Sequence, residues 1–204
     1  MRKIILLGSS GMIGYTITKH LQKGKDVKVI PAVREKRAKY FNHASNISSD
    51  FEVLDNLISK IKPHYVINCI GLTKHLASEH SDAYLFPNIL VPRFIKMLKA
   101  KHKFFIIHIS SDCVYSGQDA PYTDKHIPDA LDYYGLSKAI SENDLKDSAM
   151  ILRTSTVGHE YESKNGLVEW FLSQSGSITG FKNAFFNGVT TLTLAKIIET
   201  IVNS

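Results

Sequence analysis

Short apolar runs alternate along the chain with segments in which apolar residues recur at helical spacing. Residues 3–8 contain the continuous apolar run Ile4–Leu7, as expected of a strand buried on both faces of a parallel sheet. The same patterns predict strands over 26–33, 65–70, 104–109 and 150–152, and helices over 12–22, 50–61, 83–101, 134–145, 167–172 and 197–202. We expect Pro87 and Pro92 to lie near the first turn of the helix over 83–101 or to bend it. The alternation predicts right-handed crossovers and an α/β fold with a doubly wound parallel sheet.

The composition is that of a domain with an ordinary core. The 204 residues carry a net charge of +6, and 44% of them are hydrophobic. No basic face with regularly spaced aromatic residues is visible in the sequence, so nucleic acid is not an expected partner. One dense group of cations fits an anionic small-molecule ligand, and equally a solvated surface. It consists of Lys23, Lys25, Lys28, Arg34, Lys36 and Arg37.

The cysteines and histidines indicate whether disulfides or metal sites are expected, and the apolar segments indicate whether a signal peptide or membrane span is expected. Cys69 and Cys113, the two cysteines, each lie in an apolar context, which favours a reducing compartment over a disulfide. The nine histidines are dispersed, so no metal site is expected. The first apolar run is too short for a signal peptide, and no segment approaches the roughly 18 apolar residues of a membrane span. We therefore expect a cytoplasmic protein with no membrane partner.

A glycine-rich turn separates the first predicted strand from the first predicted helix, in the pattern GxxGxxG. Gly8 permits a tight turn, Gly11 lets the backbone approach a pyrophosphate, and Gly14 lets the helix pack closely on the strand. The helix N-terminus then offers N–H groups and a partial positive charge to phosphates. A tight turn without a ligand is the alternative. The favoured prediction is a dinucleotide site made by Gly8, Ser10, Gly11, Met12, Ile13 and Gly14.

The end of the second predicted strand bears on which dinucleotide binds. Sites that prefer NAD usually place an acidic residue there, on the ribose 2′-hydroxyl. Here Arg34 offers a planar fork for a 2′-phosphate, and Lys36 and Arg37 add charge. Glu35 could serve a ribose instead. NADP(H) is therefore favoured over NAD(H).

A YxxxK pattern lies on the helix predicted over 134–145. Tyr134 and Lys138 are four residues apart and share one helix face, so the lysine can support proton transfer by the tyrosine. Ser111 follows a predicted strand, at the edge where open α/β sheets bind ligands, and can donate a hydrogen bond to a carbonyl. Alone, the pattern also fits a plain surface helix. The three residues together favour a catalytic site.

In this combination the sequence resembles the extended short-chain dehydrogenases/reductases, and within them the dTDP-4-dehydrorhamnose reductases. The likeness covers roughly residues 1–195 and implies a Rossmann-type sheet. It rests, beyond the glycine turn, on the blocks Asn68–Gly71, Ile109–Gly117, Pro121–Tyr122, Tyr134–Lys138 and Leu152–Ser155.

The resemblance implies NADPH-dependent reduction of a 4-keto nucleotide sugar, in cell-surface polysaccharide biosynthesis. Ser111, Tyr134 and Lys138 would form the catalytic triad. Tyr134 would protonate the nascent alkoxide, Ser111 would polarise the carbonyl, and Lys138 would hold the ribose and lower the pKa of the tyrosine. Cys69, Ile70 and Gly71 would line the cofactor. The substrate would meet Ser111, Asp112, Cys113, Arg153 and Trp170.

Three alternatives to this reductase share its fold. Related 4,6-dehydratases carry an Asp–Glu pair where this chain has Asp112–Cys113, and a thiol is no ready base for proton abstraction, so dehydration is disfavoured. A 4-epimerase would use the same triad with tightly held NAD. A non-catalytic NADP-binding regulatory subunit would need no turnover.

The largest departure from the family is length, because such reductases usually continue through several more elements. We expect an NADP-binding Rossmann domain over 1–155 and a small, incomplete substrate lobe over 156–204. Trp170 could stack on a base or sugar, although core packing is slightly favoured. Lys74 and His75 are expected near phosphates, and Asn88 is expected to be a structural hydrogen bonder. A homodimer is possible.

Overall fold

The computed structural model describes residues 1–33, 45–46, 51–74, 81–160, 166–184 and 186–204. The strands in these ranges are β1 (Arg2–Leu7), β2 (Val27–Val33), β3 (Ser45–Asn46), β4 (Tyr65–Asn68), β5 (Phe105–Ile109), β6 (Ala149–Leu152), β7 (Thr156–Val157) and β8 (Val189–Thr190). The α-helices are α1 (Met12–Leu21), α2 (Phe51–Ile61), α3 (Val91–Lys101), α4 (Tyr133–Leu145), α5 (Leu167–Leu172) and α6 (Thr191–Asn203).

Six strands form the central sheet, in the order β3-β2-β1-β4-β5-β6, and every pairing is parallel. The strand order reverses at β1, with β2 on one side and β4 on the other. In such sheets the crevice outside the carboxyl ends of the strands at this reversal is the usual ligand site. The predicted α/β fold with a Rossmann-type parallel sheet is confirmed.

The continuous apolar run of β1 is explained by two cores, one on each face of the sheet. Successive side chains of a strand point to opposite faces. Ile4 and Leu6 lie in the core that includes α1 and α6, whereas Ile5 and Leu7 lie in the core that includes α2, α3 and α4. All four side chains are fully buried.

The predicted helix over 83–101 is divided in three. A 3₁₀ turn covers Ser81–Tyr84, a π-helical segment covers Leu85–Leu90, and only then does α3 begin, with Pro92 in its first turn. Proline has no N–H to donate, and its ring crowds the preceding turn, so a regular α-helix does not run through Pro87. The expectation for Pro92 is confirmed.

The C-terminal residues contribute to one of the two cores and also to a small separate sheet. Helix α6 begins at Thr191, earlier than the predicted 197, where the Thr190 hydroxyl accepts a hydrogen bond from the backbone N–H of Thr193 at 3.0 Å. Its residues Leu194 and Ile198 are buried in the core beneath α1 and β1. Helix α6 therefore packs against α1 and the sheet, and it lies within the region 156–204 for which a substrate lobe is expected.

The remaining elements are a small second sheet and the short helix α5. Strands β7 and β8 form a separate two-stranded parallel sheet that the sequence pattern did not predict. Helix α5 has the predicted bounds. Among the described residues, no helix is both long and apolar enough to cross a membrane.

Candidate functional site

The glycine turn after β1 has the close approaches that its spacing predicted. Gly8 has a φ of 78°, and a Cβ there would lie 2.9 Å from the carbonyl carbon of Cys69. A Cβ at Gly14 would lie 2.2 Å from the carbonyl oxygen of Gly8. Only glycine fits either position, because each hypothetical Cβ would overlap backbone. The turn therefore holds the N-terminus of α1 against the ends of β1 and β4.

The start of α1 fits a phosphate group. Gly11 is the N-cap of the helix, and within the described residues no side chain hydrogen-bonds to the cap. The nearest atom to a Cβ at Gly11 would be 3.5 Å away, so this face of the turn is open. Met12 and Ile13 follow in the first turn, where helical N–H groups have no intrahelical acceptor. Backbone donors, open space and the helix dipole together suit a pyrophosphate.

The loop after β4 lies beside the candidate catalytic lysine. A Cβ at Gly71 would be 3.6 Å from the Lys138 Nζ and 3.6 Å from the Asn88 Oδ1. Asn88 accepts a hydrogen bond from the Leu72 N–H at 2.8 Å and donates to the Leu72 carbonyl at 3.1 Å. It also donates to the Ser137 hydroxyl at 2.9 Å, which ties the loop to α4. The predicted structural role of Asn88 is confirmed.

Ser111 and Tyr134 meet at the carboxyl end of β5. Ser111 is buried, accepts a hydrogen bond from the Cys113 N–H at 3.1 Å and donates to the Asp112 carboxylate at 3.2 Å. Burial raises the pKa of Tyr134, and the hydrogen bond with Ser111 lowers it by less, so the net direction is upward. A phenol with a raised pKa keeps its proton near neutral pH and is available as an acid.

Lys138 lies one helical turn after Tyr134 and is nearly fully buried. Its ammonium donates to the carbonyl of Ile109 at 2.9 Å. Burial lowers the pKa of Lys138 to about 8, while the charge of Glu142 opposes that shift. The expectation that Lys138 lowers the pKa of Tyr134 stays a prediction. The net direction for the phenol is upward because burial dominates, and the lowering contribution found there comes from Ser111.

The N-terminus of α4 is fixed by a cap and by a close contact. Asp132 caps the helix by accepting a hydrogen bond from the Gly135 N–H at 3.0 Å. A Cβ at Gly135 would lie 2.2 Å from the carbonyl oxygen of Cys113. The glycine therefore lets the helix that carries Tyr134 approach the loop that carries Ser111.

A cavity of about 300 Å³ opens where the loop after β5 meets the start of α4. Its lining residues are Lys74, Cys113, Tyr115, Ser116, Leu131 and Asp132. Lys74 and Asp132 form an ion pair of 2.7 Å at its wall. Asp112 is exposed beside it. Cys113, predicted to contact substrate, thus lines this cavity.

Arg153 is bound by other side chains, whereas Trp170 is exposed, and the predicted contacts of both with substrate stay predictions. Arg153 donates to Glu142 from Nε at 2.9 Å, its Nη2 forms an ion pair of 2.8 Å with the same carboxylate, and its Nη1 donates to the Tyr115 hydroxyl. Its guanidinium is thus already bound to protein groups. Trp170 is 45% exposed, so core packing is wrong for this side chain.

Five candidate residues lie outside the described ranges, and one buried residue, Glu142, was not among the candidates. Arg34, Glu35, Lys36, Arg37 and His75 lie outside the described ranges. Among the described residues, no group of three or more histidine, cysteine or acidic side chains could hold a metal ion. Sequence reasoning gave Glu142 no role. Its position four residues after Lys138 was the one available signal, since that spacing puts two side chains on one helix face.

Fold and site together place the chain among the extended short-chain dehydrogenases/reductases. Within that class it belongs to the family described as RmlD substrate binding domain, whose model matches residues 1–178. This confirms the resemblance found in the sequence.

The individual relatives have low sequence identity to this chain. The methionine adenosyltransferase 2 subunit beta of Rattus norvegicus is 29% identical over 167 residues, which are 79% of this chain and 48% of that protein. The chain thus spans about half the length of the curated relatives it matches. The crystal structure of a hypothetical dTDP-4-dehydrorhamnose reductase from Sulfolobus tokodaii is 25% identical, with a TM-score of 0.84 over 100% of this chain and 72% of that one. A Bacillus anthracis dTDP-4-dehydrorhamnose reductase in complex with NADP is 19% identical, with a TM-score of 0.81 over 100% and 72% of the two chains.

Proposed function

We propose that this protein is an NADPH-dependent reductase of a 4-keto nucleotide sugar. One observation carries the proposal: Ser111, Tyr134 and Lys138 lie together at the carboxyl edge of the sheet, beside the loop that ends at Gly71. The open glycine turn at the start of α1 supplies the matching phosphate site.

The residues divide the chemistry between them. The N-terminus of α1 holds the pyrophosphate of the cofactor, and Lys138 holds the nicotinamide ribose. When bound, NADPH supplies a hydride to the carbonyl carbon. Ser111 donates a hydrogen bond to the carbonyl oxygen, and Tyr134, kept protonated by its raised pKa, transfers its proton to that oxygen.

The preference for NADP(H) over NAD(H) is part of the proposal and rests on Arg34. A guanidinium at the end of β2 matches a 2′-phosphate. A cytoplasmic location is proposed as well, on the two cysteines, which are both free thiols in the structure. Participation in cell-surface polysaccharide biosynthesis follows from the substrate class.

The direct test is NADPH oxidation across a panel of 4-keto nucleotide sugars, followed by absorbance at the nicotinamide band. We expect turnover of at least one compound. No oxidation with any member of the panel, together with intact NADPH binding, would overturn the reductase and leave the cofactor site standing.

A second function is favoured by the curated relatives, which are subunits of methionine adenosyltransferase. On that alternative the chain binds NADP and acts on a partner without turnover. A third alternative, a 4-epimerase, would use the same triad with retained NAD. Purified protein that carries bound NAD would support the epimerase. Protein that binds NADPH but turns over no sugar would support the regulatory subunit.

A further inference from the structure

Glu142 is a buried carboxylate that the proposed chemistry does not use. It is 4% exposed and lies on α4, one helical turn after Lys138. Its Oε2 accepts a hydrogen bond from Arg153 Nε at 2.9 Å and lies 2.8 Å from Nη2 of the same guanidinium, in an ion pair. Its Oε1 is also buried and has no hydrogen-bond partner among the described residues. A carboxylate in such a place is costly, so its charge must be offset by cations nearby.

The surroundings of Lys138 contain few other charges. His108 from β5 is buried between Asn68 and Ser141, and burial keeps its pKa well below the ordinary value, so the ring is neutral. Burial also raises the pKa of the Cys69 thiol, at the end of β4, to about 12. Tyr134, with its raised pKa, is neutral as well. Glu142 is therefore the anion that faces the Lys138 ammonium within the described part of the chain.

Arg153 connects this carboxylate to the wall of the cavity. Its guanidinium lies over the Tyr115 ring, 5.2 Å from the centroid, and Nη1 donates to the Tyr115 hydroxyl. Tyr115 stacks on Tyr122 with centroids 4.3 Å apart and lines the cavity. The arginine thus binds Glu142, which lies one helical turn after Lys138 on α4.

We propose that Glu142 is a positioning residue that keeps Lys138 charged, and that Arg153 limits this effect by sharing the same carboxylate. Lys138 carries its charge into a nearly dry site, where a neighbouring anion favours the ammonium form. Arg153 draws on the same negative charge and repels the ammonium. The two residues therefore act on Lys138 in opposite directions.

This opposition gives a test that a purely structural pair would fail. The titration midpoint of Lys138 is followed by NMR of its ε-carbon in protein with labelled lysine, and K138R identifies the resonance by its loss. In E142Q the midpoint should fall by about one pH unit or more. In R153Q it should rise. A midpoint unchanged in E142Q, or one that does not rise in R153Q, overturns the proposal.

Two further variants complete the design. If E142Q fails to fold because Arg153 is left unpaired, the double variant E142Q/R153Q carries the same test, and a lowered midpoint is again expected. D144N is the matched control, because Asp144 lies on the same helix and pairs with Lys96 rather than with Lys138. It should leave the midpoint of Lys138 unchanged. A midpoint lowered as much in D144N as in E142Q also overturns the proposal.

The role in catalysis rests on the proposed function, whereas the NMR titration needs neither cofactor nor turnover. Where the wild type reduces a sugar, the alkaline limb of its kcat profile should move to lower pH in E142Q and not in R153Q. Absence of turnover in the wild type counts against the reductase alone. A lowered midpoint of Lys138 in E142Q with an unmoved alkaline limb would show that the charge effect plays no part in the reaction.

Discussion

Gly135 and Cys113 are in backbone contact at the point where α4 meets the loop after β5. A Cβ on Gly135 would lie 2.2 Å from the Cys113 carbonyl oxygen and 2.5 Å from the Cβ of Ala130. The contact sets how closely Tyr134, the preceding residue, approaches Ser111. Glycine is needed here for space, because its position in the first turn of the helix requires no unusual backbone angle.

Gly135→Ala should therefore reduce both stability and activity. Overpacking of a tight contact costs about 1–3 kcal/mol, which urea denaturation measures as a lower midpoint. Reductase turnover should fall by more than the folded fraction does, because the tyrosine is displaced. Gly180→Ala is the control, since a Cβ there would meet nothing within 4 Å. Equal effects of the two substitutions would show that the contact is unimportant.

Tyr134→Phe tests the proton donor. The variant keeps the ring and loses the hydroxyl. Reductase turnover should therefore fall at least about 100-fold, which is the usual effect of removing a general acid. NADPH binding, measured by quenching of protein fluorescence, should be retained. Tyr133→Phe is the matched control, because Tyr133 is the adjacent residue and is 59% exposed. Full activity in Tyr134→Phe would remove the tyrosine from the mechanism.

Asp132 links the cavity wall to the stability of α4. Burial raises its pKa, but Lys74 and the N–H of Gly135 lower it by more, so the net direction is downward. A group with a lowered pKa in the folded state stabilises the fold above its unfolded pKa, near 3.9, and this contribution is lost as pH falls through the lower folded value. Asp132→Asn keeps the shape and removes the charge.

At pH 7 that substitution should cost about 0.5–1 kcal/mol of unfolding free energy, a modest figure because the ion pair is half exposed. The difference between wild type and variant should vanish at pH values below the folded pKa. Urea denaturation at both pH values measures it. Asp119→Asn is the comparison, because Asp119 is an exposed carboxylate that does not cap α4. A difference for Asp132→Asn that persists unchanged in acid would contradict this account.

Most of the central sheet could be predicted because its strands are buried on both faces. For that reason β1 and β5 contain runs of consecutive apolar residues, Ile4–Leu7 and Phe105–Ile107, which are visible in the sequence. β7 and β8 were missed, since two residues carry no periodicity and each strand exists through pairing with the other, from Thr156 to Val189. The division before α3 follows from two prolines, but their effect on the helix type does not show in the pattern.

The candidate site was predictable where spacing alone fixes the geometry. The glycine turn and the Tyr134–Lys138 pair depend on neighbours in sequence, so their residues could be named. The contacts of Arg153 could not be predicted, because its partners Glu142 and Tyr115 are 11 and 38 positions away in the sequence. The direction of the Tyr134 pKa likewise depends on burial, which only the assembled fold decides.

Cofactor choice is tested at Arg34. Arg34→Ala should weaken NADPH binding by about tenfold or more, because a charge-assisted hydrogen bond contributes about 1.5–3 kcal/mol, and it should leave NADH binding unchanged. Fluorescence titration with each cofactor measures both values. Lys25→Ala is the control, since it removes an exposed cation that precedes β2. Wild-type protein that binds NADH as tightly as NADPH, or an Arg34→Ala variant that loses both equally, would show that the 2′-phosphate is not what this arginine binds.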